Sequence, residues 1–200
     1  MTAAASLGGL GALTVLLRGL PGDFPAPVVV VQHGRRSPDE DRLATLLRRE
    51  SALPVRTAVP GPPAPPEAGI TVVPGGYHGV FDEAGRLGLV EDPTPRGGDA
   101  LMTSAARAFR GGLIGIVLTG MLDDGAAGVR MVKRYGGRVL VQDPATARAP
   151  GMPSQAIGTG CVDFVLPVER IAPALVALTM APGGAELLSV PTAPWARLPA

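Results

Sequence analysis

A serine, a histidine and an aspartate that could share one acyl-transfer site stand at Ser6, His33 and Asp124, each just after an apolar run. A serine hydroxyl is a weak nucleophile until a neutral imidazole takes its proton. The imidazole in turn needs a carboxylate to fix its tautomer and to stabilise the imidazolium. The chain order Ser, His, Asp is no obstacle, because a triad is defined by geometry. Gly8 and Gly9 allow a sharp turn from Ser6 into a helix, which would leave the N–H groups of Leu7 and Gly8 free at the positive end of a helix dipole. Met121, in the glycine-bounded turn Gly120 to Gly125, could supply a further N–H from the opposite wall, completing an oxyanion hole. Each residue also has a plain structural reading. Ser6 could cap the following helix, and Asp123 and Asp124 could both be first-turn acids that favour a helix dipole.

The elements that must position these residues alternate along the chain. The short Thr2 to Ala5 stretch leads through Ser6 to a helix marked by Leu10, Leu13, Leu17 and Leu20, which Pro21-Gly22 ends. Val28 to Val31 is continuously β-branched, as expected for a strand covered on both faces, and His33 follows it. Ser37-Pro38-Asp39-Glu40 reads as a capping box for a helix carrying Leu43, Leu46 and Leu47. Val55 to Val59 is expected to be a third strand, closed by a Pro-rich loop. Ile70 to Val73 is the next strand, and His78 to Asp82 with Arg86 to Val90 form a hairpin. A helix from Asp99 through Met102, Ala105, Ala106 and Phe109 precedes the strand Ile114 to Leu118. A helix through Val129, Val132 and Tyr135 follows, then strands at Arg138 to Gln142 and Val162 to Leu166. Pro167 opens a last helix through Ile171, Leu175 and Leu178. This pattern predicts an α/β fold: a doubly wound, mostly parallel open sheet with helices on both faces and a small antiparallel hairpin, its ligand crevice beyond the carboxyl ends of the strands. One domain is expected over residues 1–180. Residues 181–200 form a Pro/Ala-rich tail without periodicity, expected to be disordered or loosely docked.

Composition narrows the function. The 200-residue chain has 18% charged residues and a formal net charge of +1, so no strong field exists to hold nucleic acid, and no membrane insertion is expected. A single Cys161 rules out an internal disulfide framework, and His33 and His78 are the only histidines, so no zinc-type spacing exists. No metal and no cofactor are expected, and a cytoplasmic setting fits.

The chain resembles the catalytic domain of the CheB family of protein-glutamate methylesterases over roughly residues 3–180. The resemblance rests on Ala5-Ser6-Leu7-Gly8-Gly9, Gln32-His33, Val72-Val73-Pro74-Gly75 with His78, and Leu118-Thr119-Gly120-Met121 with Asp124-Gly125-Ala126-Ala127-Gly128. Gln142-Asp143, Gly151-Met152-Pro153 and Val162-Asp163 with Val165-Leu166-Pro167 continue it. It implies hydrolysis of glutamyl methyl esters on chemoreceptor helices, with glutamine deamidation, and a triad of Ser6, His33 and Asp124. The partners implied are methylated chemoreceptor helices or another methyl-ester substrate. Family members generally carry an N-terminal receiver domain, and since none precedes Ser6 in this sequence the expectation is either a stand-alone enzyme, with a separate receiver protein as partner, or a fragment of a longer chain. His78 and Met152 are candidate substrate contacts, Met152 in a turn facing the cleft. Arg35 and Arg36, where the family usually has Met-Pro, are candidate contacts to a Glu-rich receptor surface. The first strand reads Ala3-Ala4-Ala5 where the family tends to have a Val/Ile-rich run, and its edge is expected to be weak. Three alternatives stand beside this reading: an esterase for a small-molecule or peptide methyl ester, a dinucleotide-binding domain suggested by Gly8, Gly9 and Gly11, and a non-catalytic receptor-binding module. The dinucleotide reading lacks the acidic residue that should end the second strand, where Gln32-His33 stands.

Overall fold

The computed structural model describes residues 1–33, 42–92, 94 and 96–184. The expected capping box at Ser37 to Glu40, Arg35, Arg36 and the tail from residue 185 lie outside the described residues. Seven strands form one sheet in the order β3-β4-β2-β1-β7-β8-β9, every pair parallel. In chain order these are β1 (Thr2–Ala5), β2 (Val28–Gln32), β3 (Val55–Thr57), β4 (Ile70–Val73), β7 (Ile114–Val117), β8 (Arg138–Gln142) and β9 (Phe164–Leu166). β5 (Tyr77–Phe81) and β6 (Leu87–Glu91) form the separate antiparallel hairpin.

Helices cover both faces. α1 (Gly9–Arg18), α2 (Arg42–Arg48) and α6 (Val168–Met180) pack on the face that carries Ala3, Ala5, Val28, Val30, Ile116, Leu118 and Leu140. α3 (Gly97–Phe109), α4 (Ala126–Arg134) and α5 (Gly151–Gly158) pack on the face that carries Ala4, Val29, Val31, Val117, Val139 and Val141. The two-residue alternation of the strands therefore feeds two separate cores. In the first, Leu13, Leu16 and Leu17 of α1 are fully buried, each stabilising the fold by about 1.5–3 kcal/mol.

The alanine-rich first strand is not a weak edge. β1 lies at the centre of the sheet, paired with β2 and β7, and all four of its residues are fully buried. The small side chains are required by the helix starts that press on them. A Cβ added to Gly98 of α3 would come within 2.7 Å of Ala4 Cβ, and one added to Gly9 of α1 within 2.8 Å of Ala5 Cβ. A β-branched residue at either alanine would drive a helix off the sheet.

Several boundaries differ from the sequence reading; β5 and β6 are each shifted by one residue, and β7 ends at Val117, not Leu118. β3 ends at Thr57, not Val59. β9 begins at Phe164, not Val162, because Asp163 is held by other bonds: it exchanges backbone and side-chain contacts with Val139 and pairs with the buried Lys133. α3 begins at Gly97. Gly151 to Gly158 is a helix, where sequence suggested a turn; Pro153 sits in its first turn, the position at which proline costs a helix no hydrogen bond.

Candidate active site

The alternation of side chains continues past the strand ends and sets the site. Ala5 and Gln32 are register partners, and His33 N donates to Ala5 O at 3.0 Å, so Ser6 and His33 come abreast at the ends of adjacent strands, roughly 4.8 Å apart in strand spacing. Ala4 and Val31 face the α3 side, and the alternation carries Ser6 and His33 to that same side. On the other flank, Ser6 N donates to Thr119 O at 2.9 Å. The chain leaves β1 toward β2 and returns on the far side at β7, so Ser6 stands at the switch point where an open sheet forms its crevice.

Ser6 does not cap α1. The N-cap is Gly8, in the left-handed region at φ 84, with no side-chain cap bond; only the Ser6 carbonyl takes part, accepting from Gly9 N at 2.8 Å. The Ser6 hydroxyl is thereby left for chemistry. Among the described residues the N–H groups of Leu7, Gly8 and Met121 have no internal acceptor. The glycines themselves are required by protein packing, since a side chain on Gly8 would strike Arg148 Cβ and one on Gly9 would strike Ala5 and Gln32. No approaching phosphate is needed to explain Gly8 and Gly9, whereas a side chain on Gly11 would meet nothing.

Asp124 is buried, and its Oδ2 lies 2.5 Å from His33 Nε2. The pair is at contact distance, but Nε2 makes no hydrogen bond of good angle. Asp124 is not a first-turn acid of its own helix. It reaches across to the start of α3, where Oδ2 accepts from Gly98 N at 2.7 Å and Oδ1 from Asp99 N at 2.8 Å. Asp99 returns the arrangement: its Oδ1 accepts from Gly125 N at 2.9 Å and Gly128 N at 2.8 Å, at the start of α4. The two helices thus cap each other, and the carboxylate that faces His33 is fixed by two backbone donors. Asp99 is partly buried, and desolvation pushes its carboxyl above the ordinary range, with the Gly128 N–H acting in the opposite direction. Asp123, by contrast, is half-exposed and pairs with Arg96 at 3.2 Å.

Residues 1–175 match the family model described as CheB methylesterase. The chain belongs to the CheB methylesterase family. Its fold is similar to the crystal structure of the Thermotoga maritima CheB methylesterase catalytic domain, with a TM-score of 0.80 and 33% identity over 88% of this chain and 96% of that one. It is 44% identical over 181 residues to protein-glutamate methylesterase/protein-glutamine glutaminase 2 of Anaeromyxobacter dehalogenans, covering 88% of this chain and 52% of that protein. It is 40% identical over 177 residues to protein-glutamate methylesterase FrzG of Myxococcus xanthus, covering 86% of this chain and 52% of that protein. The chain spans about half the length of the curated relatives it matches. No described helix is long and apolar enough to cross a membrane.

Two expected substrate contacts of this CheB-family crevice lie below its surface. His78 is buried; its Nε2 meets Thr94 O at 2.9 Å and its Nδ1 lies 3.5 Å from Asp92 Oδ2. Both ring nitrogens are engaged, and the ring packs beside Gly97, so His78 ties the hairpin to the start of α3. Met152 is fully buried in α5, where a Cβ on Gly120 would come within 2.0 Å of its sulfur and 2.9 Å of Ser6 Cβ. It fills the floor beneath Gly120. The expected contacts Arg35 and Arg36 lie outside the described residues. Sequence reasoning missed Thr119 and Gln142. Gln142 Oε1 accepts from Thr119 N at 2.9 Å, while Thr119 Oγ1 donates to Leu7 O and accepts from Ala149 N, both at 2.9 Å. These bonds lock the Ser6 turn, the β7 end and the 148–150 segment together. The signal was the Gln142-Asp143 pair at a strand end, noticed as a motif but given no role.

Proposed function

We propose that this chain is a serine hydrolase of carboxylic methyl esters, acting on glutamyl methyl esters of chemoreceptor helices and, by the same chemistry, on glutamine side-chain amides. The observation that carries the proposal is the convergence of Ser6 and His33 at adjacent strand ends with Asp124 Oδ2 at 2.5 Å from the imidazole. In the scheme, His33 takes the Ser6 proton as Oγ adds to the ester carbonyl. The N–H groups of Leu7, Gly8 and Met121 receive the oxyanion. Collapse expels methanol, which takes the proton from His33, and leaves an acyl-serine. Water, deprotonated by the same imidazole, then releases the glutamate carboxylate and restores Ser6. For glutamine the leaving group is ammonia. Asp124 holds the ring orientation and stabilises the imidazolium throughout. The activities for which the methylesterase/glutaminase relatives are named support this choice of substrate.

The test is methanol release from methylated receptor fragments and from a panel of simple methyl esters. Ser6→Ala should remove turnover nearly completely without loss of fold, since triad members act as a unit and losses on the order of 10⁶ in kcat are known for a comparable hydrolase. A variant that keeps a tenth of the activity ends the nucleophile assignment.

A further inference from the structure

Leu122 is one of two non-glycine residues with positive φ among the described residues, at φ 64. The other, Arg110, has an internal use, its guanidinium lying 5.8 Å from the Tyr135 ring centre. Leu122 has none: its side chain stands 68% exposed at the mouth of the crevice. A left-handed leucine is strained, and such strain persists only where the surroundings impose it. Here they do. The 120–122 backbone is clamped on α5, with Met152 N donating to Gly120 O at 2.8 Å, and Gly151 so close that a Cβ on it would lie 2.9 Å from Leu122 N.

Three of the exposed large apolar side chains, Leu7, Met121 and Leu122, stand beside the nucleophile. Leu7 is 47% and Met121 58% exposed, and each adjoins one member of the Ser6–Gly120 contact. Arg148 completes the rim. It is exposed, has no ionic partner among the described residues, and lies against Gly8. Its neighbour Ala149 accepts from Gly120 N at 2.9 Å, so Arg148 and Leu122 belong to one strapped wall. Apolar side chains held out in water beside a cation with no ionic partner among the described residues complement a surface that is apolar along one strip and acidic beside it.

We propose that Leu122, with Leu7 and Arg148, forms a docking rim selecting an acidic amphipathic helix as the carrier of the ester, so that substrate choice is made outside the triad. This rests on the hydrolase reading above and names how that site recognises its substrate. The test compares wild type with Leu122→Gly, Leu122→Met and Arg148→Glu on a methylated helical receptor fragment and on p-nitrophenyl acetate. In Leu122→Gly the ratio of kcat/KM for the fragment to that for the small ester should fall about five- to tenfold, mainly through KM, while Leu122→Met retains it. Leu122→Gly should melt no lower than wild type, because glycine relieves the strained φ. Arg148→Glu should lower the same ratio and flatten its dependence on salt. Binding of the fragment to the Ser6→Ala chain, with and without Leu122→Gly, separates docking from chemistry. If wild type turns over neither ester but Leu122→Gly still weakens that binding, the hydrolase reading falls and the rim stands. An unchanged ratio and unchanged binding in Leu122→Gly overturn the rim.

Discussion

Asp123 and Asp124 are adjacent, of one type, and placed by the fold in unlike surroundings. Asp124→Asn removes the charge facing His33 and turns an acceptor into a donor toward the start of α3. It should lower kcat roughly 10⁴-fold, as when an amide traps a catalytic histidine in the wrong tautomer. It should also cost about 1–3 kcal/mol, since an amide can satisfy only one of the Gly98 and Asp99 donors. Asp123→Asn loses a surface pair with Arg96, worth about 0–1 kcal/mol, and activity should change less than about tenfold. Steady-state kinetics and urea unfolding of both variants check this; equal and small losses would send the search for the carboxylate elsewhere. The sequence singled out Asp124 through its motif, but the reach of its side chain to another helix was illegible there, because a cap between elements leaves no local pattern.

At the level of elements, the alternation of strands and helices was readable because each apolar run keeps a period of two or 3.6. α5 was not, since glycines bound it and Pro153 interrupts its short pattern. Nor could the sequence show that Lys133, the chain's only lysine, is buried in α4 and bonded to Asp163 Oδ1 at 2.6 Å. Its helical position reads as one more polar residue. Asp163 Oδ2 also accepts from Val139 N at 2.7 Å, so the pair fastens α4 to the β8 and β9 side of the sheet. Lys133→Met should destabilise the protein by about 3–5 kcal/mol, because it strands a buried carboxylate. Restoring neutrality with Asp163→Asn in the same chain should recover part of the loss, a coupling that a double-mutant cycle in urea measures. Full additivity of the two changes would show that the pair does not hold the elements together.

Across the whole molecule, two cores share one set of strands, so neither helical layer can dissolve without exposing the sheet to the other. Leu13→Ala on the α1 side and Met102→Ala on the α3 side should each cost about 2–5 kcal/mol and lower one common transition. Far-ultraviolet circular dichroism and aromatic signals that part company in either variant would mean that the layers unfold separately. The tight seat of Gly9 and Gly98 on Ala5 and Ala4 has a bearing on how this framework can diversify. At the centre of the sheet there is no room for growth: a random library should lose nearly every variant enlarged at those four positions, whatever ester is used for selection. New specificity has to be recruited from the rim, where Leu7, Leu122 and Arg148 meet solvent. Selection for a different ester carrier should therefore enrich substitutions at the mouth of the crevice while its alanine and glycine floor returns unchanged.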